Sequence, residues 1–265
     1  MGTLKRLFKR NTHNAFFKGL ASLGKALNRM YENKNYDIHS NGEVTIIKKV
    51  ASQKGAIVID GGANIGGYTK AIYAQNPEAI IYSFEPVAAT FETLSKNIDH
   101  CKTATPIQKG LYSEIKEQEI HLFPSSTHSS LYDIKGWKEK SKETTTISLT
   151  TGDAFMQEHN ISQIDLLKID VEGAEYDALQ GFKQSLLDGK IRAIQFEYGY
   201  INITTKKLLV DYHEFFESVG YQLGKIYPKT VEFKKYSHKQ EDFLGPNFIA
   251  VRKSDTELIN KLVNK

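Results

Sequence analysis

A glycine-rich stretch after a short apolar run constrains the fold of this chain more than any other feature. The stretch is Val58–Gly66, with the sequence VIDGGANIG. Residues 56–59 are apolar and predict a buried strand, and residues 68–74 predict a helix, so the stretch turns the chain from strand to helix. Glycines let a backbone approach a ligand closely, and a helix N-terminus presents unpaired N–H groups to an anion. We therefore predict a ligand-binding turn.

The charge of this turn indicates which ligand it holds. In the dinucleotide fingerprint G-x-G-x-x-G, a pyrophosphate lies against bare backbone. Here Asp60 places a carboxylate at the strand end, and Asn64 occupies the middle glycine position. A fixed negative charge disfavours a pyrophosphate but suits the ammonium group of S-adenosylmethionine. The turn therefore favours S-adenosylmethionine over NAD, and a purely structural turn stays open as the alternative.

The composition is that of an ordinary soluble globular protein, with 40% hydrophobic and 25% charged residues among 265. The net charge of +4 is too small to indicate nucleic acid, so we expect no nucleic-acid partner. No apolar run approaches the roughly 20 residues of a membrane span, and bases stand where a signal peptide would be apolar. We expect a cytoplasmic protein. The single cysteine, Cys101, can form no internal disulfide.

The first 31 residues are basic and contain no acid before Glu32. One interpretation is an amphipathic helix that rests on an anionic membrane, peripheral at the inner membrane face, or on an acidic partner. The other is a helix that caps the main domain and keeps a solvated basic face, and we favour it because extra N-terminal helices are common. The bases are Lys5, Arg6, Lys9, Arg10, Lys18, Lys25 and Arg29.

From residue 57 onward, predicted strands and helices alternate, which indicates an α/β fold with a mostly parallel sheet and helices on both faces. We expect the last strand, at 247–251, to be antiparallel. Residues 1–40 are predicted to form a basic helical extension, and residues 41–265 one domain. The predicted strands are 57–60, 80–84, 105–109, 119–123, 144–149, 165–170, 193–196, 221–226 and 247–251. The predicted helices are 68–75, 88–98, 152–158, 175–187 and 206–219, and residues 43–50 are predicted to form a short strand that runs into a helical turn.

The region 111–150 interrupts the alternation. The predicted strands 119–123 and 144–149 flank a polar loop, 124–142, which is either a surface feature or a source of substrate contacts. Trp137, the only tryptophan, is expected to pack rather than to stack on a sugar.

Four predicted strands end on acids: Asp60, Glu85, Asp170 and Glu197. In an open parallel sheet, ligands bind outside the carboxyl ends of the strands. In nucleotide-binding folds of this kind, a carboxylate that binds the ribose hydroxyls follows the glycine turn by roughly 20 residues. The spacing of Glu85 from the turn is close to this. This spacing predicts an adenosine ligand without choosing between NAD and S-adenosylmethionine, and an exposed strand-end acid is the alternative.

A second dense segment, DLLKIDVEGAE, spans residues 165–175. Lys168 and Asp170 lie on the same side of the predicted strand because side chains alternate with a period of two. An unpaired ammonium inside the protein is costly, so we expect Lys168 to pair with Asp170 or Glu197. The group is either the charged floor of an active site or a buried ion pair that orients the strand.

Together, the two segments resemble those of the FkbM-like methyltransferases, which have the class I Rossmann-like fold and use S-adenosylmethionine to methylate hydroxyl oxygens, often on sugars. The resemblance covers residues 41–252, and KIDVEG, at 168–173, is its specific part. The chain departs from the family pattern at 150–153 (TTGD) and over 111–142. The second departure leaves the identity of the acceptor undecided, because that region is expected to shape the acceptor pocket. The resemblance implies a methionine site at Asp60, Gly62, Asn64 and Gly66, ribose at Glu85 and adenine at Gly110–Leu111. The full predicted cofactor set is Asp60, Gly61, Gly62, Ala63, Asn64, Gly66, Glu85, Gly110, Leu111 and Asp170.

A sugar hydroxyl is a poor nucleophile and needs a base or a metal. Asp170 is the first choice as base, because it ends the strand next to the cofactor turn, and Glu172 and Glu197 come next. A Mg²⁺ ion held by these three carboxylates is possible but not favoured. Weaker candidate bases are Lys168, His121 and His128.

We therefore predict an O-methyltransferase that acts on a hydroxyl of a sugar, a glycan or a related small molecule. One alternative is a nicotinamide-dependent oxidoreductase, which the absence of a Tyr-x-x-x-Lys pair disfavours, since Tyr176 is followed by Gln180. The other is a non-catalytic module that binds an adenosine ligand. The sequence does not indicate the acceptor or the oligomeric state.

Overall fold

The computed structural model describes residues 6, 8–10, 12–123, 129–133, 136, 141 and 143–264. Within them the strands are β1 (Ile57–Gly61), β2 (Ile80–Phe84), β3 (Ala104–Ile107), β4 (Gly110–Leu111), β5 (Lys116–Leu122), β6 (Ser129–Ser130), β7 (Glu143–Thr150), β8 (Ile164–Ile169), β9 (Ile191–Glu197), β10 (Tyr221–Ile226), β11 (Val231–Phe233) and β12 (Asn247–Arg252). The helices are α1 (Ala15–Tyr31), α2 (Glu43–Val50), α3 (Gly67–Gln75), α4 (Ala88–Asn97), α5 (Gly152–Glu158), α6 (Glu175–Gln180), α7 (Lys183–Leu187), α8 (Asn202–Thr205), α9 (Leu209–Ser218) and α10 (Thr256–Val263).

The main sheet has eight strands in the order β11-β10-β12-β9-β8-β1-β2-β3. The pairings of β9 with β8, β8 with β1, β1 with β2 and β2 with β3 are all parallel. Strand β12 is antiparallel to both β9 and β10, and β11 is antiparallel to β10. The predicted mostly parallel sheet with an antiparallel last strand is confirmed.

Helices cover both faces of the main sheet. Side chains alternate between the faces of a strand, so the neighbouring buried residues Val58 and Ile59 of β1 belong to two different apolar clusters. The cluster around Ile59 contains side chains of α5, α6 and α9. The cluster around Val58 contains side chains of α2, α3 and α10. The prediction of an α/β Rossmann-like fold of the class I methyltransferase type is confirmed.

The strands β4 to β7 form a second sheet with the order β4-β7-β5-β6. The predicted strands 119–123 and 144–149 correspond to β5 and β7, which are antiparallel partners. Strand β4 pairs parallel with β7 at the edge of this sheet. Trp137 and His128, for which a packing role and a weak base role are predicted, lie outside the described residues. The sheet places a wall of side chains beside the carboxyl edge of the main sheet.

Residues 43–50 form the helix α2, so the prediction of a strand there is wrong. Glu43, Ile46, Ile47 and Val50 are the buried residues of this helix. Their spacing of three, four and seven residues places them on one helical face, which packs against the main sheet. A run of β-branched residues suggests a strand, but the spacing of the buried positions decides in favour of a helix.

The predicted helix 206–219 begins later, at Leu209, and a separate short helix precedes it. Lys206 adopts a left-handed conformation with φ 57°, which breaks the helical path. The backbone N–H groups of Leu209 and Val210 donate to the Glu241 carboxylate at 3.1 and 3.0 Å. This distant acid satisfies the first turn of α9, and nothing in the local sequence reveals it.

The prediction that the N-terminal helix caps the main domain is wrong. Helix α1 contains no buried residue. The chain meets the domain just after the helix, where Glu32 pairs with Lys225 and the buried side-chain amide of Asn33 donates to the carbonyl oxygens of Asn41 and Ile226. Among the described residues, no helix is long and apolar enough to cross a membrane. The boundary at residue 40 remains a prediction.

We expect Gly152→Ala to destabilise the fold. Gly152 begins α5, and a Cβ there would collide with the ring of Phe182, which is fully buried in the core. Overpacking of this kind costs about 1–3 kcal/mol. Chemical denaturation checks the loss. Gly67→Ala is the matched control, because Gly67 also begins a helix and its Cβ would meet no atom within 4 Å. Equal stability of the two variants would contradict the packing described for α5.

Candidate active site

The two motifs meet at the carboxyl ends of β1 and β8. These strands are neighbours, with Gly61 opposite Ile169, and the N–H of Asp170 donates to the carbonyl oxygen of Gly61 at 2.9 Å. Gly62 has φ 82°, and a Cβ at this position would collide with the carbonyl oxygen of Asp170. Any side chain at residue 62 would therefore separate the two strand ends.

The glycine turn alternates between ordinary and left-handed residues. Gly62, Asn64 and Gly66 have φ values of 82°, 50° and 89°. Asparagine tolerates the left-handed region better than other residues with a side chain, so it can replace the middle glycine without a change of backbone path. The N–H groups of Gly62 and Ala63 donate to the carbonyl oxygen of Phe84 at 3.0 and 2.8 Å. This anchors the turn to the end of β2.

A cavity opens at this edge of the main sheet. It is bounded by both motifs and by the four-stranded second sheet, the small sheet β4-β7-β5-β6. Seven of the residues predicted for the site line it: Gly62, Asn64, Glu85, Gly110, Leu111, Asp170 and Glu172. The small sheet adds an apolar wall made of Ile120, Ile147 and Leu149. Polar groups therefore lie on one side of the cavity and apolar side chains on the other.

The other predicted site residues are not part of the cavity lining: Asp60, Gly61, Ala63, Gly66, Lys168 and Glu197. Asp60 is buried behind the turn, where its Oδ2 accepts a hydrogen bond from the Thr69 hydroxyl at 2.7 Å. Burial raises the pKa of Asp60 to about 6, while the Thr69 hydrogen bond and the charge of Lys168 lower it. His121 lies on β5, with its Nδ1 3.3 Å from the Ser141 hydroxyl, and does not line the cavity either.

Glu85 follows β2 and is 5% exposed. Its Oε1 accepts a hydrogen bond from the N–H of Val87 at 2.9 Å. Burial raises the pKa of Glu85 to about 7, although hydrogen bonds from the backbone of Val87 and Asn64 lower it. A ligand that donates hydroxyl groups to this carboxylate would stabilise its ionised form.

Lys168 is a buried cation beneath the cavity. Its Nζ lies 2.9 Å from Oδ2 of Asp170 and 3.9 Å from Oε1 of Glu43. Burial lowers the pKa of Lys168, but the charges of Asp170, Glu43 and Glu197 more than offset it, so the pKa is raised overall. The predicted pairing with Asp170 is confirmed, and Lys168 is a cation at neutral pH.

Glu43 is a partner of Lys168 that the sequence did not reveal. Its carboxylate accepts hydrogen bonds from the side-chain amides of Asn41 at 2.8 Å and Gln195 at 2.6 Å. The Tyr68 hydroxyl in turn donates to Oε1 of Gln195 at 3.0 Å. Two sequence features point to this network: an acid on the buried face of a helix and a glutamine within an apolar strand. Both need a partner, because buried polar groups are hydrogen-bonded.

Three carboxylates lie at the far end of the site: Asp170, Glu172 and Glu197. Burial raises the pKa of Glu172, and the charge of Asp170 raises it further. Burial also raises the pKa of Glu197, followed by the effect of Asp170, while Lys168 lowers it. In the described part of the chain, no group of three or more His, Cys, Asp or Glu could hold a metal ion, so these carboxylates do not form one.

Glu175 fixes the loop that carries Glu172, a role the sequence did not reveal. It is 1% exposed, and its Oε1 accepts hydrogen bonds from the N–H groups of Val171 and Gly173 at 3.1 and 3.0 Å. Glu172 and Gly173 both adopt left-handed conformations, with φ 51° and 107°. Burial raises the pKa of Glu175 to about 7, while the Gly173 hydrogen bond lowers it. The loop is therefore held in an unusual backbone path by one buried acid.

This arrangement suits a ligand with hydroxyl groups and a flat apolar ring. Glu85 offers a carboxylate to hydroxyls, and Leu111 with the small sheet offers an apolar surface. The glycine turn offers close approach to the backbone, and Asp170 and Glu172 bring two carboxyl groups to the opposite end. The cavity therefore matches the chemistry of an adenosine-containing cofactor beside a second, polar reactant.

Comparison with known proteins agrees with this chemistry. Residues 60–223, more than half of the chain, match the Methyltransferase FkbM domain. The chain is 30% identical to "Methyltransferase 1" of Beauveria bassiana over 48% of this chain and 58% of that relative. It is 25% identical to "Hexuronic acid methyltransferase AglP" of Haloferax volcanii over 65% of this chain and 69% of that relative.

Among solved structures, the chain is similar to a TehB-like S-adenosylmethionine-dependent methyltransferase from Corynebacterium glutamicum, with a TM-score of 0.43 and 12% identity. That similarity covers 89% of this chain and 97% of the other. The matched segment spans less than two thirds of the Beauveria relative. The predicted resemblance to the FkbM-like methyltransferases is confirmed by the family match. The chain therefore belongs to the FkbM methyltransferase family.

Proposed function

We propose that this protein transfers the methyl group of S-adenosylmethionine to a hydroxyl oxygen of a sugar, a glycan or a related small molecule. One observation carries the proposal: the glycine turn with Glu85 and the carboxylates Asp170 and Glu172 line the same cavity. The name of the Haloferax relative, a hexuronic acid methyltransferase, supports a sugar acceptor.

The donor end of the cavity would hold the cofactor through this chain's own groups. Glu85 would accept hydrogen bonds from the ribose hydroxyls, and Leu111 would pack against the adenine. The turn from Gly62 to Asn64 would border the methionine part. Bound there, S-adenosylmethionine supplies an activated methyl group with a good leaving group, so the protein's main task is alignment.

The acceptor end would remove the hydroxyl proton. The Oδ2 of Asp170 is occupied by its ion pair with Lys168, whereas burial and the charge of Asp170 raise the pKa of Glu172. A carboxylate with a raised pKa is the stronger base in its ionised form. We assign proton removal to Glu172 and the positioning of the acceptor to Asp170. This reverses the order of preference that the sequence suggests.

The acceptor class is tested by incubating the protein with S-adenosylmethionine carrying a labelled methyl group and a panel of neutral sugars and uronic acids. We expect label in a sugar product that survives mild alkali, because a methyl ether is stable there and a methyl ester is not. Release of the label by alkali would identify a carboxylate as the acceptor and contradict transfer to a hydroxyl.

The role of Glu85 is tested by the pH dependence of S-adenosylhomocysteine binding, measured by calorimetry. In the free protein the raised pKa of about 7 keeps Glu85 protonated at pH 6 and ionised at pH 8. Only the ionised form accepts two ribose hydroxyls, so affinity should rise about tenfold over this range. Glu85→Gln should bind more weakly and lose the rise, whereas Glu92→Gln, an exposed acid on α4, should keep it. A persistent rise in Glu85→Gln would assign it to another group.

The base is tested by comparing Glu172→Gln with Asp170→Asn. We expect Glu172→Gln to lower kcat by about 10²–10⁴-fold, the usual contribution of a general base, with little change in S-adenosylhomocysteine affinity. Glu197→Gln is the control, because Glu197 lies at the same end but does not line the cavity. If Asp170→Asn abolishes turnover and Glu172→Gln does not, the base is Asp170.

A further inference from the structure

Helix α1 presents an apolar face that the described part of the chain leaves uncovered. The exposed fractions of its large apolar side chains are 66% for Phe16, 49% for Leu20, 57% for Leu23, 57% for Leu27, 78% for Met30 and 74% for Tyr31. At about 100° per residue these positions fall in one sector of the helix. Contiguous exposed apolar faces mark sites of interaction.

The opposite face of α1 is basic. Lys18, Lys25 and Arg29 lie there, and the first 31 residues contain seven lysines and arginines and no acid. This combination of a basic face, an aromatic and leucine face and modest overall hydrophobicity is that of a helix that lies in a membrane interface. The basic side chains favour an anionic surface, because anionic lipid headgroups attract each lysine or arginine that lies within about one Debye length of them.

The chain before α1 adds to the apolar face. The ring of Phe8 packs edge-on against Phe17, with centroids 5.4 Å apart, and Phe17 packs against Phe16 at 5.5 Å. Phe8 is itself 43% exposed. The aromatic cluster therefore widens the apolar surface at the N-terminal end of α1.

The C-terminal end of α1 is fixed to the edge of the sheet that carries the cavity. Glu32 pairs with Lys225 at 2.5 Å, and the Asn33 amide donates to the carbonyl oxygen of Ile226, the last residue of β10, at 3.0 Å. The Lys34 ammonium lies 4.5 Å from the ring centroid of Tyr200, shortly after the end of β9. These contacts hold the helix at the carboxyl ends of the strands.

Tyr36 follows Lys34 by two residues in the chain. Desolvation raises the pKa of its hydroxyl, and the charges of Glu197, Glu172 and Asp170 add to the rise. The segment that leaves α1 therefore passes within electrostatic reach of the acceptor carboxylates.

We propose that α1 docks on the surface of an anionic lipid bilayer, with its apolar face in the interface, and so holds the cavity edge of the sheet toward the membrane. The absence of acids from residues 1–31 complements anionic lipid headgroups. This inference goes beyond the proposed methyl transfer and does not depend on it.

The test is cosedimentation of the full-length protein with vesicles of phosphatidylcholine, with and without phosphatidylglycerol. We expect binding to the anionic vesicles only, weakened by salt. Leu20→Gln/Leu27→Gln should weaken it about tenfold or more, because two apolar side chains leave the interface. The matched control, Ser22→Gln/Asn28→Gln, changes two other residues of α1 outside the apolar sector and should bind within about twofold of the original chain.

The charge is tested separately by Lys18→Gln/Lys25→Gln, which should weaken binding to anionic vesicles about tenfold or more. Lys48→Gln/Lys96→Gln makes the same change of charge on exposed residues of the domain and should have little effect. Equal effects of the two pairs would overturn the proposal. Failure of the intact protein to bind anionic vesicles would also overturn it, as would a dimer in solution that Leu20→Gln/Leu27→Gln dissociates. Methyl transfer is assayed apart with a water-soluble acceptor, so its failure leaves the vesicle result intact.

Discussion

The contact between Gly62 and the backbone of Asp170 holds the site together. The strands β1 and β8 are far apart in the chain but adjacent in the sheet, and their ends touch because residue 62 has no side chain. The contact places the glycine turn directly beside the loop that carries Glu172. The proposed donor and acceptor ends of the cavity are therefore built as one unit, and the alignment that the proposed in-line displacement needs depends on a missing Cβ.

Burial of the Lys168 ammonium imposes a second constraint. A buried cation must be surrounded by negative charge, and Asp170 and Glu43 supply it from two different elements. Glu43 belongs to α2, which packs on one face of the sheet, and Gln195 of β9 holds its carboxylate in place. The same charges act on the proposed acceptor end, where burial and then the charge of Asp170 raise the pKa of Glu172 and Lys168 opposes the rise. The buried ion pairs and the carboxylates to which the proposal assigns the reaction thus share one electrostatic network.

Much of the fold follows from local patterns. The strand 80–84 and the helix 152–158 have the bounds that the sequence predicts, because their signals are local. The strand is an apolar run that ends before an acid, and the helix begins after a threonine N-cap. The errors arise where a distant group decides. Helix α9 starts at Leu209 because Glu241 accepts its first N–H groups, and α2 replaces a strand because its helical face finds the sheet.

For the site, the sequence by itself determined the class of chemistry: a glycine turn after a strand, an acid at the ribose spacing and the KIDVEG segment. It also determined that Lys168 needs a buried partner. Only the tertiary structure decided that Asp60 lies behind the turn on Thr69, that Glu43 and Glu175 support the site, and that no described residue covers the apolar face of α1. The physical reason is that periodicity and turn chemistry belong to neighbouring residues, whereas burial, pairing and exposure depend on which elements meet across the fold.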